Sequence, residues 1–343
     1  MLTPAAALRL VAAPMAAADV GALLDTLRGG GLDADQGAAV LVAWTRRGET
    51  AGELAAVVRW LLEHAVALDL PRPAMDLCGT GGSGLTRFNV STTAAFVLAA
   101  GGVRVAKHGN KGSRRADGSF DLLDALGIPY QLPPAALAGL LETTGICFVF
   151  ARAFHPVVAA MAPARRAAAA LGAARTVFNL AGPLANPARP GRQLIGVSDQ
   201  AVAEVVAGAC RELGREHVAV VRGHPGIDEV SITGPTHVLE LVRGHLRHRI
   251  IDRHHQHGLA HADLPGGEAA VNAGLFAELV GGRLRGPLLD MVVANAAAAF
   301  DVWEGRPLEA HSPNHERALA LIASGAVAQV VERHRAAARA AAG

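Results

Sequence analysis

Residues 74–110 read AMDLCGTGGSGLTRFNVSTTAAFVLAAGGVRVAKHGN. An apolar run ends in the glycines of CGTGGSG (78–84), STTAAFVLAA follows at helical spacing and closes at Gly101-Gly102, and a second apolar run ends in Lys107-His108-Gly109-Asn110. Strand, helix, strand is the unit of a parallel sheet, because parallel strands need a crossover between them. The alternation continues outward. SFDLLDALG (119–127) reads as a helix, GICFVFA (145–151) and REHVAVVRG (215–223) as strands, and the stretch from Leu308 on as helical. The fold class is therefore α/β, with a central, mostly parallel sheet.

Upstream the pattern is different. Residues from about 16 to 66 read as three short helices: ADVGALLDTLR stops at Gly29-Gly30-Gly31, DADQGAAVLVAWTRR stops at Gly48, and AGELAAVVRWLLEHA follows Thr50. Glu53, three residues after Thr50, has the spacing of a capping box. The first twenty residues resemble a signal peptide only weakly, since they lack a basic start followed by a long apolar core.

The 343 residues are 51% apolar, 18% charged and only 4% aromatic, so Ala, Leu and Val are expected to fill a sizeable core. Net charge is +2, which provides no general attraction to nucleic acid or to a membrane, and any anion site must be local. Cys78, Cys147 and Cys210 are odd in number and far apart, which argues against a disulfide framework. Apolar stretches such as LLDMVVANAAAAFDVW carry Asp290 and Asn295, and no clean run reaches the about 20 residues of a membrane span. A cytoplasmic, soluble protein is expected.

Three segments carry chemistry. CGTGGSG leaves backbone N–H groups bare and leads to a helix starting near Asn89-Val90-Ser91-Thr92, whose own amides favour an anion. Glycine count alone fits a plain tight turn equally well; the helix start tips the reading toward phosphate. Lys107-His108-Gly109-Asn110 ends the next strand, where parallel sheets place their ligands, and a lysine there can meet a phosphate. Lys111, Arg114 and Arg115 follow, then Gly118-Ser119 opening a helix. Asp228-Glu229, after the strand HVAVVRG, could hold Mg²⁺ against phosphate oxygens, although the pair alone reads more readily as a solvated acidic turn. The histidine-rich stretch 245–261 lacks cysteines and reads as an edge strand and surface loop rather than a metal site.

Taken together the motifs resemble the anthranilate phosphoribosyltransferase family, from about residue 20 to 335. The markers are GTGG (79–82), FNVST (88–92), VAKHGN (105–110), GSFDLLDALGI (118–128), FHPVVAAMAPAR (154–165), RTVFNLAGPLANPA (175–188), QLIGV (193–197) and DEVS (228–231). The resemblance implies a small helical domain, residues 1–70 joined by helices from about 155–187, on a large α/β domain, residues 71–343, of nucleoside phosphorylase type. It also implies a homodimer, and transfer of phosphoribosyl from phosphoribosyl pyrophosphate (PRPP) to the amine of anthranilate. Carried over by position, Gly79, Gly82, Ser83, Arg87, Asn89, Val90, Ser91, Thr92, Lys107 and Ser119 would hold PRPP. Ser91, Asp228 and Glu229 would bind Mg²⁺, with Lys107, Asp228 and Glu229 giving electrostatic help. Gly79, His108, Asn110, Arg165 and Pro183 would face the aromatic acid.

The sequence departs from the family pattern at Ser83, where an acid is usual, at Arg87 and Arg114-Arg115, where small polar residues are usual, and in a helix about one turn longer after Arg165. These differences leave room for a paralogue using PRPP with another aromatic or heterocyclic acceptor. Nucleoside phosphorolysis fits less well, because the acceptor blocks at 154–188 are present. Nucleic-acid binding is disfavoured by the near-neutral charge.

Overall fold

The computed structural model describes residues 1–81, 88–112, 115–173, 175–252 and 259–343. Among these, seven strands form one sheet: β1 (Met75–Gly79), β2 (Val105–Gly109), β3 (Ile146–Phe150), β4 (Arg192–Gly196), β5 (His217–Gly223), β6 (Thr236–Val242) and β7 (His245–Ile251). Their order is β3-β2-β1-β4-β5-β6-β7. The first five are mutually parallel, whereas β6 and β7 are antiparallel additions at one edge. The expected class is observed. β7 is the expected edge strand and is largely exposed; His254, His255 and His257 lie outside the described residues.

Strand order reverses at β1. The chain steps from β1 to β2 and β3 on one side, then returns to lay β4 and β5 on the other. Such a switch point opens a crevice at the carboxyl ends of the strands. Here Gly79 of β1 pairs with Gly196 of β4, which pairs with Val221 of β5, so three strand ends arrive level.

Short-range signals build the helices. Asp33 and Thr50 cap the helices Ala34–Arg47 and Ala51–Glu63 with full capping boxes, each cap contributing about 1 kcal/mol. Glu53 also takes Arg47 and the Met15 amide, which ties the N-terminal segment to the helices. The structure adds a helix that the sequence reading passed over, Pro4–Val11, started by the Thr3 cap and Pro4. The C-terminal stretch is two helices, Asn314–Ala323 and Ala326–Ala342, parted at Gly325, whose φ is +77°.

Two apolar cores flank the sheet. One joins β1–β3 to the helices Val90–Ala100, Pro287–Glu304 and Ala326–Ala342, and concentrates the scarce aromatics in Phe96, Phe120, Phe148, Phe276 and Phe300. The other joins the N-terminal helices to residues 161–185, the helix Gln200–Glu212 and the far face of β4 and β5. Among the described residues no helix is long and apolar enough to cross a membrane.

Candidate active site

The glycines at the switch point are required by a neighbour. A Cβ on Gly79 would stand 2.3 Å from Asp228 Oδ2, and one on Gly196 would stand 1.7 Å from the Asp228 carbonyl oxygen. Both distances are impossible for real side chains, so glycine here lets the loop after β5 descend onto the ends of β1 and β4. Asp228 is buried and accepts from the Gly81 amide at 2.9 Å. The next residues are held from below: Asn295 Nδ2 donates to the Val230 carbonyl while Asn295 Oδ1 accepts from the Val230 amide, both at 2.9 Å. Asn295 was visible in the sequence only as a polar break in an apolar helix.

Lys107 comes to the same place from β2. It is 2% exposed, and its Nζ donates to the Leu77 carbonyl and, at 3.2 Å, to Ser91 Oγ. Ser91, Asp228 and Glu229 border one small cavity with Cys78 and Asn295. The structure thus brings the expected oxygen donors together from two distant segments, with Lys107 arriving from a third.

Beneath Lys107 lies Asp76, wholly buried on β1 and not singled out from the sequence. Its carboxylate accepts from the His108 amide at 3.1 Å and from Asn186 Nδ2 at 3.0 Å. Burial pushes the Asp76 carboxyl up and the Lys107 ammonium down, each opposed by the other's charge. A lone acid inside the apolar run AMDLCG was the available signal, since a charge there needs a partner.

The helix Val90–Ala100 begins beside this cluster. Val90 and Thr92 are buried in its first turn, and Thr92 Oγ1 has no hydrogen-bond partner among the described residues. Asn89 donates to the Asp117 carbonyl and accepts from Asn272, both at 2.9 Å, which fixes the helix entrance. Ser119 donates to the carbonyl of exposed Asn110 at 3.3 Å. Gly82, Ser83, Arg87 and Arg114 lie outside the described residues.

Of the expected acceptor residues, Gly79 lies in the first cluster, Asn110 lies beside Ser119, and His108 comes next to Pro183. His108 Nδ1 meets the Gly182 carbonyl at 3.0 Å, next to buried Pro183, and its Nε2 has no partner among the described residues. Burial pushes the His108 ring down to about 3, with buried His155 edge-on at 5.5 Å. At neutral pH the His108 ring is therefore uncharged, and a carbonyl at Nδ1 places its proton there and leaves Nε2 as an acceptor. Arg165, half-buried on the helix Ala162–Ala170, lies over the Phe178 ring at 5.3 Å and has no carboxylate partner among the described residues. Burial lowers its pKa.

Residues 71–328 match the family described as glycosyl transferase family, a/b domain. The anthranilate phosphoribosyltransferase of Roseiflexus sp. (strain RS-1) is 39% identical over 295 residues, covering 83% of this chain and 85% of its own length. That of Arthrobacter sp. (strain FB24) is 38% identical over 337 residues, 95% of this chain and 94% of its own. The crystal structure of the Thermus thermophilus enzyme superposes with a TM-score of 0.86 at 36% identity, over 97% of this chain and 99% of that one. A structure of the Saccharomyces cerevisiae enzyme in complex with PRPP and Mg shares the fold, with a TM-score of 0.83 at 24% identity over 98% of each chain. With its glycine-lined switch point and these relatives along nearly its whole length, the chain belongs to the anthranilate phosphoribosyltransferase family.

Proposed function

We propose that this chain transfers the phosphoribosyl group of PRPP to the amine of anthranilate, giving N-(5-phosphoribosyl)anthranilate and pyrophosphate, a step of tryptophan biosynthesis. The observation that carries the reading is the meeting of Ser91, Lys107, Asp228 and Glu229 at the strand switch point.

The donor set suits Mg²⁺, a hard ion that takes hydroxyl, carboxylate and phosphate oxygens, and Ser91, Asp228 and Glu229 are the residues that would hold it. When bound, the ion neutralises charge on the leaving diphosphate. The yeast relative, whose structure is in complex with PRPP and Mg, supports Mg²⁺ as the ion. The amides at the start of the helix Val90–Ala100, with Asn89, Ser91 and Thr92, bind the diphosphate end, and Gly79 keeps that face clear of a side chain. Lys107 adds positive charge there, and Ser119 closes the far side of the sugar phosphate. Gly82, Ser83 and Arg87 belong to the same proposed set.

On the acceptor side, Arg165 presents a planar fork that can pair with both carboxylate oxygens of anthranilate. The His108 Nε2 lone pair accepts from the aromatic amine and aims it, next to Asn110 and Pro183. A ring with a pKa near 3 is a poor base, and none stronger is needed, because an arylamine is nucleophilic at neutral pH. Rate then comes from charge neutralisation at the leaving group and from placement of the amine.

The N-terminal helices, which pack on the helix Ala162–Ala170 and on Val177–Ala181, are read as a small domain able to move against the sheet domain. A cytoplasmic homodimer completes the proposal, and light scattering at working concentration tests it. The activity itself is tested with PRPP, Mg²⁺ and anthranilate, following loss of anthranilate fluorescence. No turnover where a control enzyme works rejects the function.

A further inference from the structure

The segment 182–190, GPLANPARP, is gripped along its backbone by buried side chains from four places. The Gly182 carbonyl takes His108 Nδ1 at 3.0 Å, and the Pro183 carbonyl takes Gln193 Nε2 at 3.0 Å. The Leu184 carbonyl takes an Arg215 guanidinium nitrogen at 3.0 Å, and the Ala185 carbonyl takes His155 Nε2 at 2.7 Å. Arg215 reaches on to the Pro190 carbonyl, and the Asn186 side chain is fixed on Asp76. Four consecutive carbonyls at a helix end are thus satisfied by side chains rather than by water. Two of the donors, His108 and His155, already belong to the acceptor pocket or touch it. Gln193 and Arg215 do not: Gln193 is fully buried on β4, Arg215 is 8% exposed before β5, and Arg215 has no carboxylate partner among the described residues. A buried guanidinium spent on two carbonyls of one loop is costly unless the loop must be held in one shape.

We propose that Gln193 and Arg215 are positioning residues for the aromatic acceptor, acting at a distance by locking the 182–190 backbone that carries Pro183 and seats His108. The inference rests on the acceptor assignment made above. Loss of either donor frees the loop to shift, and small misplacements of a reacting group cost rate steeply. The sugar-diphosphate side, built on Ser91, Lys107 and Asp228, is held by other contacts and is left in place.

The test is steady-state kinetics of Arg215→Met and Gln193→Glu, with each substrate varied at saturating levels of the other. Gln193→Glu keeps the side chain's size while replacing the donor to Pro183, which guards against a fold failure in the arginine variant. The expected result is a rise of about tenfold in the anthranilate KM, with the PRPP KM within twofold of wild type. Arg215→Lys, which retains one cationic donor, should recover part of the loss. Discrimination between anthranilate and a ring-substituted anthranilate should also change in the first two variants. Equal shifts for both substrates, or a lowered Tm with unchanged KM values, would overturn the inference while leaving the function intact. A wild-type chain that turns over no anthranilate overturns the acceptor assignment and this inference with it.

Discussion

Lys107 on β2 and Ser91 in the first turn of the helix Val90–Ala100 are joined, ammonium to hydroxyl, at 3.2 Å. The proposed diphosphate cation and a proposed metal ligand thus form one unit before any ligand arrives. Lys107→Ala should lower kcat/KM for PRPP by about 100-fold, the usual scale for one lost electrostatic donor. Its effect on the anthranilate KM should be small. Arg165→Ala should do the reverse, with a roughly 10- to 100-fold loss in kcat/KM for anthranilate, as for a charged hydrogen bond. Equal effects of both variants on both substrates would show that the cleft is not divided in this way.

Gly79→Ala tests how closely β1 and the Asp228 loop must approach. The new methyl would have to displace a carboxylate now 2.3 Å from its position. The Mg²⁺ concentration for half-maximal rate should rise roughly tenfold, corresponding to about 1.4 kcal/mol. The fold should survive, because the carboxylate can swing aside at the crevice. An unchanged metal requirement would count against Asp228 as a ligand.

Asn295→Leu removes the clamp on Val230, which lies directly after Asp228-Glu229. Two buried backbone groups would be left without partners, costing about 1–3 kcal/mol each. Thermal melting should show that loss, and a higher Mg²⁺ requirement should accompany it. Lowered stability with normal metal dependence would make Asn295 a structural residue only.

Acid should destabilise the protein through His108. Its folded pKa is near 3, below the unfolded value of about 6.5, so the unfolded chain binds the extra proton between those pH values. Stability is full above about pH 6.5 and falls as pH drops toward 3, by up to about 1.4 kcal/mol per pH unit from this ring. Burial lowers His155 in the same direction. His108→Gln should flatten the dependence of urea unfolding between pH 7 and 5; an unchanged slope would mean that the ring is not held neutral.

Much of the architecture is readable along the chain because its causes are local. The capping boxes at Asp33 and Thr50 need only residues three apart, and the strand runs at 75–79, 105–109 and 146–150 declare themselves through apolar stretches bounded by glycine. The Thr3-Pro4 start was equally local and was available to be read. Asp76, Asn186, Gln193 and Arg215 were not legible in the same sense. Each is an ordinary polar residue until a partner arrives from far along the chain, as Asn186 does for Asp76 from 110 residues away.

Element type, the parallel alternation and the family-like order of motifs therefore follow from the linear order of residues, since turn chemistry and periodicity act over a few positions. The descent of Asp228 between Gly79 and Gly196, and the side-chain grip on carbonyls 182–185, depend on strand order and register. Those arrangements are set by how seven strands and two apolar cores pack at once, a condition that no short stretch of chain contains.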